Sequence, residues 1–121
     1  NDIERPQDIV LKGNSDKSAK RVSIILNIDK KVDLPDIAKQ LGISFDELIQ
    51  ELDQIVNSGT KLNLRYFLNQ FIEEELQAEV MAYFKTVDEA DLEAANDYFD
   101  GDFSLEELEL MHIQFLSDVG N

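Results

Sequence analysis

Few side chains in this sequence could perform catalysis or bind a metal ion. The 121 residues include no cysteine and a single histidine, which excludes disulfides, thiolate zinc sites and cysteine nucleophiles. His112 follows Met111 and has no neighbouring Asp, Ser or second His, so it lacks a visible partner for acid–base chemistry. We therefore predict a core or half-buried histidine, and no catalytic residue, metal site or cofactor in this chain.

A group of carboxylates near residue 100 comes nearest to a divalent-cation site. This group consists of Asp100, Asp102, Glu106 and Glu107. Their spacing does not match the calcium-binding loop of about 12 residues, which ends in a bidentate glutamate. A helix boundary explains them better, because Ser104 and Glu107 have the spacing of a capping box. Among the aromatic residues, most of which are expected in the core, Tyr66 is the one to test for base stacking.

The charge of the chain is strongly negative and unevenly distributed. The chain contains eleven Lys and Arg residues and 26 Asp and Glu residues, which gives a net charge of −15. This charge disfavours simple electrostatic binding to nucleic acid or anionic lipid. Residues 12–39 are the exception, with seven basic and four acidic side chains. These basic side chains either form a surface that binds a polyanion or are ordinary solvent-exposed side chains. The candidate nucleic-acid-binding residues are Lys17, Lys20, Arg21, Lys30, Lys31, Lys39, Lys61 and Arg65.

The C-terminal half carries most of the acid. Residues 66–121 hold one basic and fifteen acidic side chains. Such a surface either keeps the chain solvated and away from DNA that it should not touch, or it forms a docking face for a basic protein partner. Both alternatives stay open.

Hydrophobic spacing predicts about seven helices and little or no sheet, so the fold class is all-α. Residues 1–15 are interpreted as a linker or docking tether, because Pro6, Gly13 and Asn14 surround one short apolar run. Helix one begins near Asp16, and a one-strand wing at residues 60–62, before a short helix capped by Asn63, is left open. The residues expected to face the core are Val22, Ile25, Leu26 and Ile28 in helix one, and in the later helices Leu64, Phe67, Leu68, Phe71, Ile72, Leu76, Val80, Met81, Phe84, Leu92, Ala95, Tyr98, Phe99, Leu105, Leu108, Met111, Phe115 and Leu116.

The most informative pattern is a helix-turn-helix between residues 33 and 58. Pro35 suits the first turn of its second helix, and Gly42 supplies the positive φ that ends that helix. Ala38 is small because the next helix crosses close above it, and Ser44 with Glu47 forms a capping box that starts this third helix. Apolar residues fill the wedge between the two helices: Ile37, Leu41, Ile43, Leu48 and Leu52.

The third helix is poorly suited to reading DNA in the major groove. DNA-reading helices present Arg, Lys, Asn or Gln to bases and phosphates. Residues 44–58 contain four acidic side chains and no basic one, and carboxylates beside a phosphate backbone are repulsive. Any nucleic acid is therefore expected at residues 17–39 and 61–65 instead.

The chain resembles the C-terminal helix-turn-helix region of bacterial RecQ-family ATP-dependent DNA helicases. The resemblance runs from Ser18 to Asn121 and is carried by NIDKKVDLPDIAKQLGISFDELIQELDQIVNSGTKLNLRYFL and YFDGDFSLEELELMHIQFLSDVGN, while RPQDIVLK is similar to the connector before this region. It implies an accessory piece of a longer enzyme that unwinds DNA with ATP. The phosphate loop, the Asp-Glu-x-His box and the zinc cysteines of that motor do not occur in this chain, so no catalytic residue carries over.

These observations predict one compact domain with three parts: the tether at 1–15, a helix-turn-helix unit at 16–68, with or without the wing, and an acidic helical half at 69–121. We expect a non-catalytic accessory domain of a RecQ-like helicase in DNA repair and recombination, contacting DNA weakly or docking on the rest of the helicase chain. The alternative is a protein-interaction module with an acidic docking face that binds no nucleic acid. Without an apolar run of about 20 residues or a signal-peptide core, the chain is expected to be cytoplasmic and nucleoid-associated.

Overall fold

The computed structural model describes residues 18–120, which form seven α-helices and no β-strand. Lys17 and the predicted tether at residues 1–15 lie outside the described residues. Within residues 18–120, no helix has the length and apolar character needed to cross a bilayer. The helices are α1 over residues 18–29, α2 Leu34–Leu41, α3 Phe45–Asn57, α4 Arg65–Leu68, α5 Glu74–Lys85, α6 Leu92–Tyr98 and α7 Leu105–Val119.

The turn between α2 and α3 has the geometry that the sequence predicts. Gly42 adopts φ 68°, and its N–H donates to the carbonyl groups of Ala38 and Lys39, which closes α2. Ser44 then caps α3: its hydroxyl accepts the Glu47 N–H, and the Glu47 carboxylate accepts the Ser44 N–H. Ala38 is buried at the start of this crossing. The predicted helix-turn-helix is therefore confirmed, with Ile37, Leu48 and Leu52 fully buried and Leu41 and Ile43 partly buried in its wedge.

The inner face of α1 differs from the prediction. Ile24 and Ile28 point into the core, whereas Val22 and Leu26 are 54% and 52% exposed. Each pair has i, i+4 spacing, and the two pairs lie about 200° apart around the helix, so only one of them can face the core. The sequence alone gives both pairs equal apolar character. The prediction of Val22 and Leu26 as core residues is wrong.

The segment between α3 and α4 forms no wing. It runs along α7, where the Leu62 N–H donates to Ser117 Oγ at 2.9 Å and the Leu64 N–H donates to Gln114 Oε1 at 2.6 Å. The Leu62 carbonyl accepts from Ser117 Oγ at 2.8 Å and from Gln114 Nε2 at 3.3 Å. Because two buried side chains of α7 satisfy these backbone groups, the segment needs no partner strand.

Helix α7 is the centre of the domain. It packs against α3, α4, α5 and α6, and its own N-terminus is fixed by the predicted capping box of Ser104 and Glu107. Leu108, Met111 and Ile113 are fully buried along it. The acidic half is thus joined to α3 of the helix-turn-helix through one shared core.

Four further residues predicted to face the core, all in the later part of the chain, are exposed: Phe71, Leu76, Tyr98 and Leu105. Phe71 turns outward because α4 ends at Leu68 after one turn, so the helical spacing that the sequence suggested does not continue. In α5 the inner position belongs to Gln77, whose amide donates to the Ile72 carbonyl at 2.8 Å and to Asn69 Oδ1 at 2.7 Å. Tyr98 and Leu105 occupy helix ends, where the core no longer covers them.

Candidate nucleic-acid interface

The exposed side of α3 is acidic and amide-rich. Asp46, Glu47, Gln50 and Gln54 are exposed along it. The remaining sides of this helix are buried against the core or packed on α2 and α7. A phosphate backbone placed on α3 would meet carboxylates first, which is repulsive.

Arg21 is held by α3. Its Nε donates to Glu51 Oε1 at 3.2 Å, and Nη2 donates to Gln54 Oε1. These contacts link α1 to α3 and engage the partly exposed guanidinium of Arg21 in contacts within the domain. Of the eight predicted cations, Arg21 therefore has a structural role that a DNA contact would have to displace.

Arg65 forms a two-pronged pair with Asp118 at the end of α7. Nη1 donates to Asp118 Oδ1 at 3.2 Å, and Nη2 donates to Oδ2. The hydrogen bond from Arg65, assisted by one from Gln114 and by the charge of Lys61, lowers the pKa of Asp118, although burial opposes this. The reciprocal hydrogen bond raises the pKa of Arg65. Arg65 is still partly exposed beside the neighbouring groove.

A polar groove brings two of the predicted cations together. Lys31, from the turn after α1, and Arg65, from α4, both line a cavity of about 400 Å³. Asn63 and Asn69 add amide groups and Asp29 adds a carboxylate. Lys30 is exposed immediately before Lys31. The groove therefore combines cations with neutral donors, the side chains that contact phosphate and sugar.

Tyr66 fixes the wall of this groove. Its hydroxyl donates to the Val32 carbonyl, which ties α4 to the turn between α1 and α2. Burial, followed by the charge of Asp33, raises the pKa of Tyr66 to about 12. The ring is partly buried against the core, so its placement favours a structural role over that of a free stacking platform.

The other predicted cations do not gather at the groove. Lys39 is exposed on α2 beside a separate cavity that includes Phe45. Lys61 is exposed near the C-terminal end of α7, close enough to influence Asp118. Lys20 is partly buried on α1, and Lys17 lies outside the described residues. The structure thus groups Lys31 and Arg65 at the groove, while Lys30, next to Lys31 in the chain, lines a separate cavity on α1.

His112 and the carboxylates near residue 100 form no metal site within residues 18–120, where no group of three or more His, Cys, Asp or Glu side chains could hold an ion. The imidazole of His112 packs against Phe84, with ring centroids 4.8 Å apart. Burial lowers the pKa of His112, and the charge of Asp53 opposes this shift. Such a neutral, ring-packed imidazole contributes to the core.

No sequence pattern predicts that Asn63 and Asn69 line the groove. Neither residue belongs to a charged run, and Asn63 is predictable only as a cap, since its Oδ1 accepts the Arg65 N–H at 3.1 Å. Asn69 lies in the turn after α4. Long-range packing of α4 on the turn after α1 brings both into the groove.

Comparison with known proteins finds a likeness for one segment of the chain. A search of curated proteins finds no match. Residues 18–68, fewer than half of the chain, match the family model described as RecQ-1-like, helix-turn-helix domain. This range spans α1 to α4 and ends where the acidic half begins. The chain therefore carries, at residues 18–68, a segment similar to the RecQ-1-like helix-turn-helix domain.

Proposed function

We propose that this chain is a non-catalytic accessory domain of a RecQ-like ATP-dependent DNA helicase, and that it contacts DNA through the groove between the α1–α2 turn and α4. The observation that carries the proposal is the convergence of Lys31 and Arg65 on one polar groove within the RecQ-1-like segment. In this proposal the helix-turn-helix unit comprises residues 16–68 and the acidic half comprises residues 69–121. ATP binding and hydrolysis, and roles in repair and recombination, belong to the parent helicase.

The chemistry of the groove supports contact with the DNA backbone rather than base reading. Lys30, Lys31 and Arg65 attract phosphates, and Asn63 and Asn69 donate hydrogen bonds to phosphate or sugar oxygens. Backbone contacts position a protein on DNA without selecting its sequence. No residue of α3 lines this groove, and the carboxylates of α3 would repel a duplex placed on that helix.

The number of cations predicts weak and salt-dependent binding. Each neutralised phosphate changes the slope of log K against log salt by about −0.9 on duplex DNA and about −0.7 on single strands. Lys30, Lys31 and Arg65 together should give a slope of about −2 to −3. Such a domain would orient a helicase on its substrate while the motor supplies most of the affinity.

Titration of labelled forked and single-stranded DNA at two salt concentrations tests this proposal. The double variant Lys30→Glu with Lys31→Glu should weaken binding about tenfold or more and flatten the salt dependence. The single variant Lys31→Glu has a matched control in Lys85→Glu, because each lowers the net charge by two and Lys85 is at an exposed position of the acidic half. Equal effects of both variants would show a general charge effect and refute the groove, as would the absence of saturable binding at near-physiological salt.

A second candidate function is docking of a protein partner without any nucleic acid. The observation that favours it is the excess of fourteen acidic over basic side chains in residues 66–121, from fifteen acids and one base. This surface would attract a basic protein, including a basic surface of the parent helicase. Two results together would select this function. The domain would show no binding to DNA, and the variant Lys30→Glu with Lys31→Glu would still bind the rest of the helicase chain.

A further inference from the structure

An apolar groove lies on the side of the domain where α3 and α7 begin. Phe45, Phe67, Leu68, Ile72 and Leu110 line it, and its volume is about 330 Å³. This lies at the lower limit of ligand pockets, about 300–1,000 Å³, so it has room for one or two large side chains. It is distinct from the polar groove beside Lys31, with which it shares no lining residue.

Phe71 stands at the edge of this groove and is 64% exposed. Its ring meets Phe67 edge-on, with centroids 5.0 Å apart, so it extends the apolar surface of the groove into solvent. The turn after α4 that carries Phe71 also places Ile72 in the core. A large ring exposed next to a concave apolar surface is typical of an interaction site.

The rim of the groove is acidic. Glu106 and Glu107 line it, and no Lys or Arg does. The capping box holds the Glu107 carboxylate in place, at 2.8 Å from the Ser104 nitrogen. Burial raises the pKa of the adjacent Glu109, and Asp53, Asp46 and Glu106 raise it further. Among the residues that the structure describes, no cation lining the groove therefore balances this negative charge.

We propose that this groove binds a short segment of a partner protein that carries one or two bulky apolar side chains flanked by Lys or Arg. The apolar side chains would cover Phe71 and fill the groove, while the cations would pair with Glu106 and Glu107. Charge complementarity selects this occupant. DNA and acidic peptides are repelled by the rim, and a second copy of this chain carries the same net charge of −15. This proposal rests on the partner-docking function proposed above and assigns that function to a defined surface. It does not depend on DNA contact.

Fluorescence-polarisation titration with three labelled peptides tests the proposal on the full chain. The first probe has two central leucines flanked by lysine and arginine on both sides. In the second probe alanines replace the leucines, and in the third glutamates replace the basic residues. Saturable binding is expected for the first probe only. Equal binding of the second would show general attraction to an acidic protein, and equal binding of the third would show unselective apolar contact; either result overturns the proposal.

Two variants locate the binding site. Phe71→Ala should weaken the first probe about tenfold or more, as expected for an exposed aromatic anchor. Glu106→Lys should weaken it about threefold to tenfold and reduce the salt dependence. Tyr98→Ala is the matched control, since Tyr98 is also an exposed aromatic residue but lies at the end of α6. All three positions are exposed, and circular dichroism verifies the fold of each variant.

The remaining outcomes are also decisive. No binding of the first probe, or undiminished binding to Phe71→Ala, overturns the proposal. Self-association detected by sedimentation, and abolished by Phe71→Ala, would assign the groove to a second copy instead and overturn the charge argument. Because Lys30→Glu with Lys31→Glu should leave peptide binding unchanged, failure here is distinguishable from failure of DNA contact.

Discussion

Replacing Gln114 by methionine should lower the free energy of unfolding by about 1–3 kcal/mol, because it leaves the buried Leu64 N–H without an acceptor. Gln114 is 1% exposed, and its Oε1 accepts that N–H at 2.6 Å. The Leu62 carbonyl keeps its bond from Ser117 Oγ at 2.8 Å, so one backbone group loses its only partner. Methionine has a similar length and flexibility, which keeps the packing term small.

Urea unfolding followed by circular dichroism measures this loss. With a slope of about 1.5 kcal/mol per molar urea, a loss of about 2 kcal/mol lowers the midpoint by about 1.3 M. Gln50→Met is the matched control, since Gln50 is exposed on α3 and surface changes usually stay within about 0.5 kcal/mol. If the two variants unfold at the same midpoint, the Gln114 side chain does not stabilise the segment between α3 and α4, and the reasoning is refuted.

Three further perturbations test other parts of the structure. Gly42→Ala should destabilise the domain by about 1–2 kcal/mol in thermal melts, because φ 68° is unfavourable for a side chain although the added Cβ meets no atom within 4 Å; an unchanged melting temperature would refute the strained-turn argument. Ser104→Ala should cost about 1 kcal/mol through loss of the capping box, whereas Gln50→Ala, at an exposed position inside α3, should have little effect in the same melts. The pKa of Glu109 in the folded protein is raised above its ordinary 4.5, so ionisation of this carboxyl destabilises the folded state. The domain therefore has its full stability with respect to this group below pH 4.5 and loses part of it as the pH rises through the folded pKa. Glu109→Gln should therefore be more stable than the parent at pH 7, and urea midpoints should converge as the pH falls toward 4.5; a constant difference would contradict the assignment.

Local sequence chemistry was sufficient for the helix-turn-helix. Gly42 and Ser44 act on residues no more than four positions away, through a left-handed turn and a capping box. The same holds for Ser104 and Glu107 at the start of α7. Such signals depend on backbone geometry over one turn, so they survive without knowledge of the fold.

Burial on α1 could not be predicted in the same way. Val22 with Leu26 and Ile24 with Ile28 form equivalent apolar pairs, and only the position of the rest of the core selects the second pair. The candidate site shows the same limit. Lys31 and Arg65 are far apart in sequence, and they share a groove because Tyr66 bonds to the Val32 carbonyl.

The sequence by itself determined the all-α class, the turn at Gly42, the acidic character of α3 and the division of charge between the two halves, because composition, caps and local backbone preferences act over a few residues. Tertiary structure alone decided which cations share a groove, where Phe71 lies exposed beside an acidic rim, and that Gln114 and Ser117 take the place of a wing. These features depend on hydrogen bonds and packing between residues 34 to 55 positions apart, and no local pattern encodes such contacts.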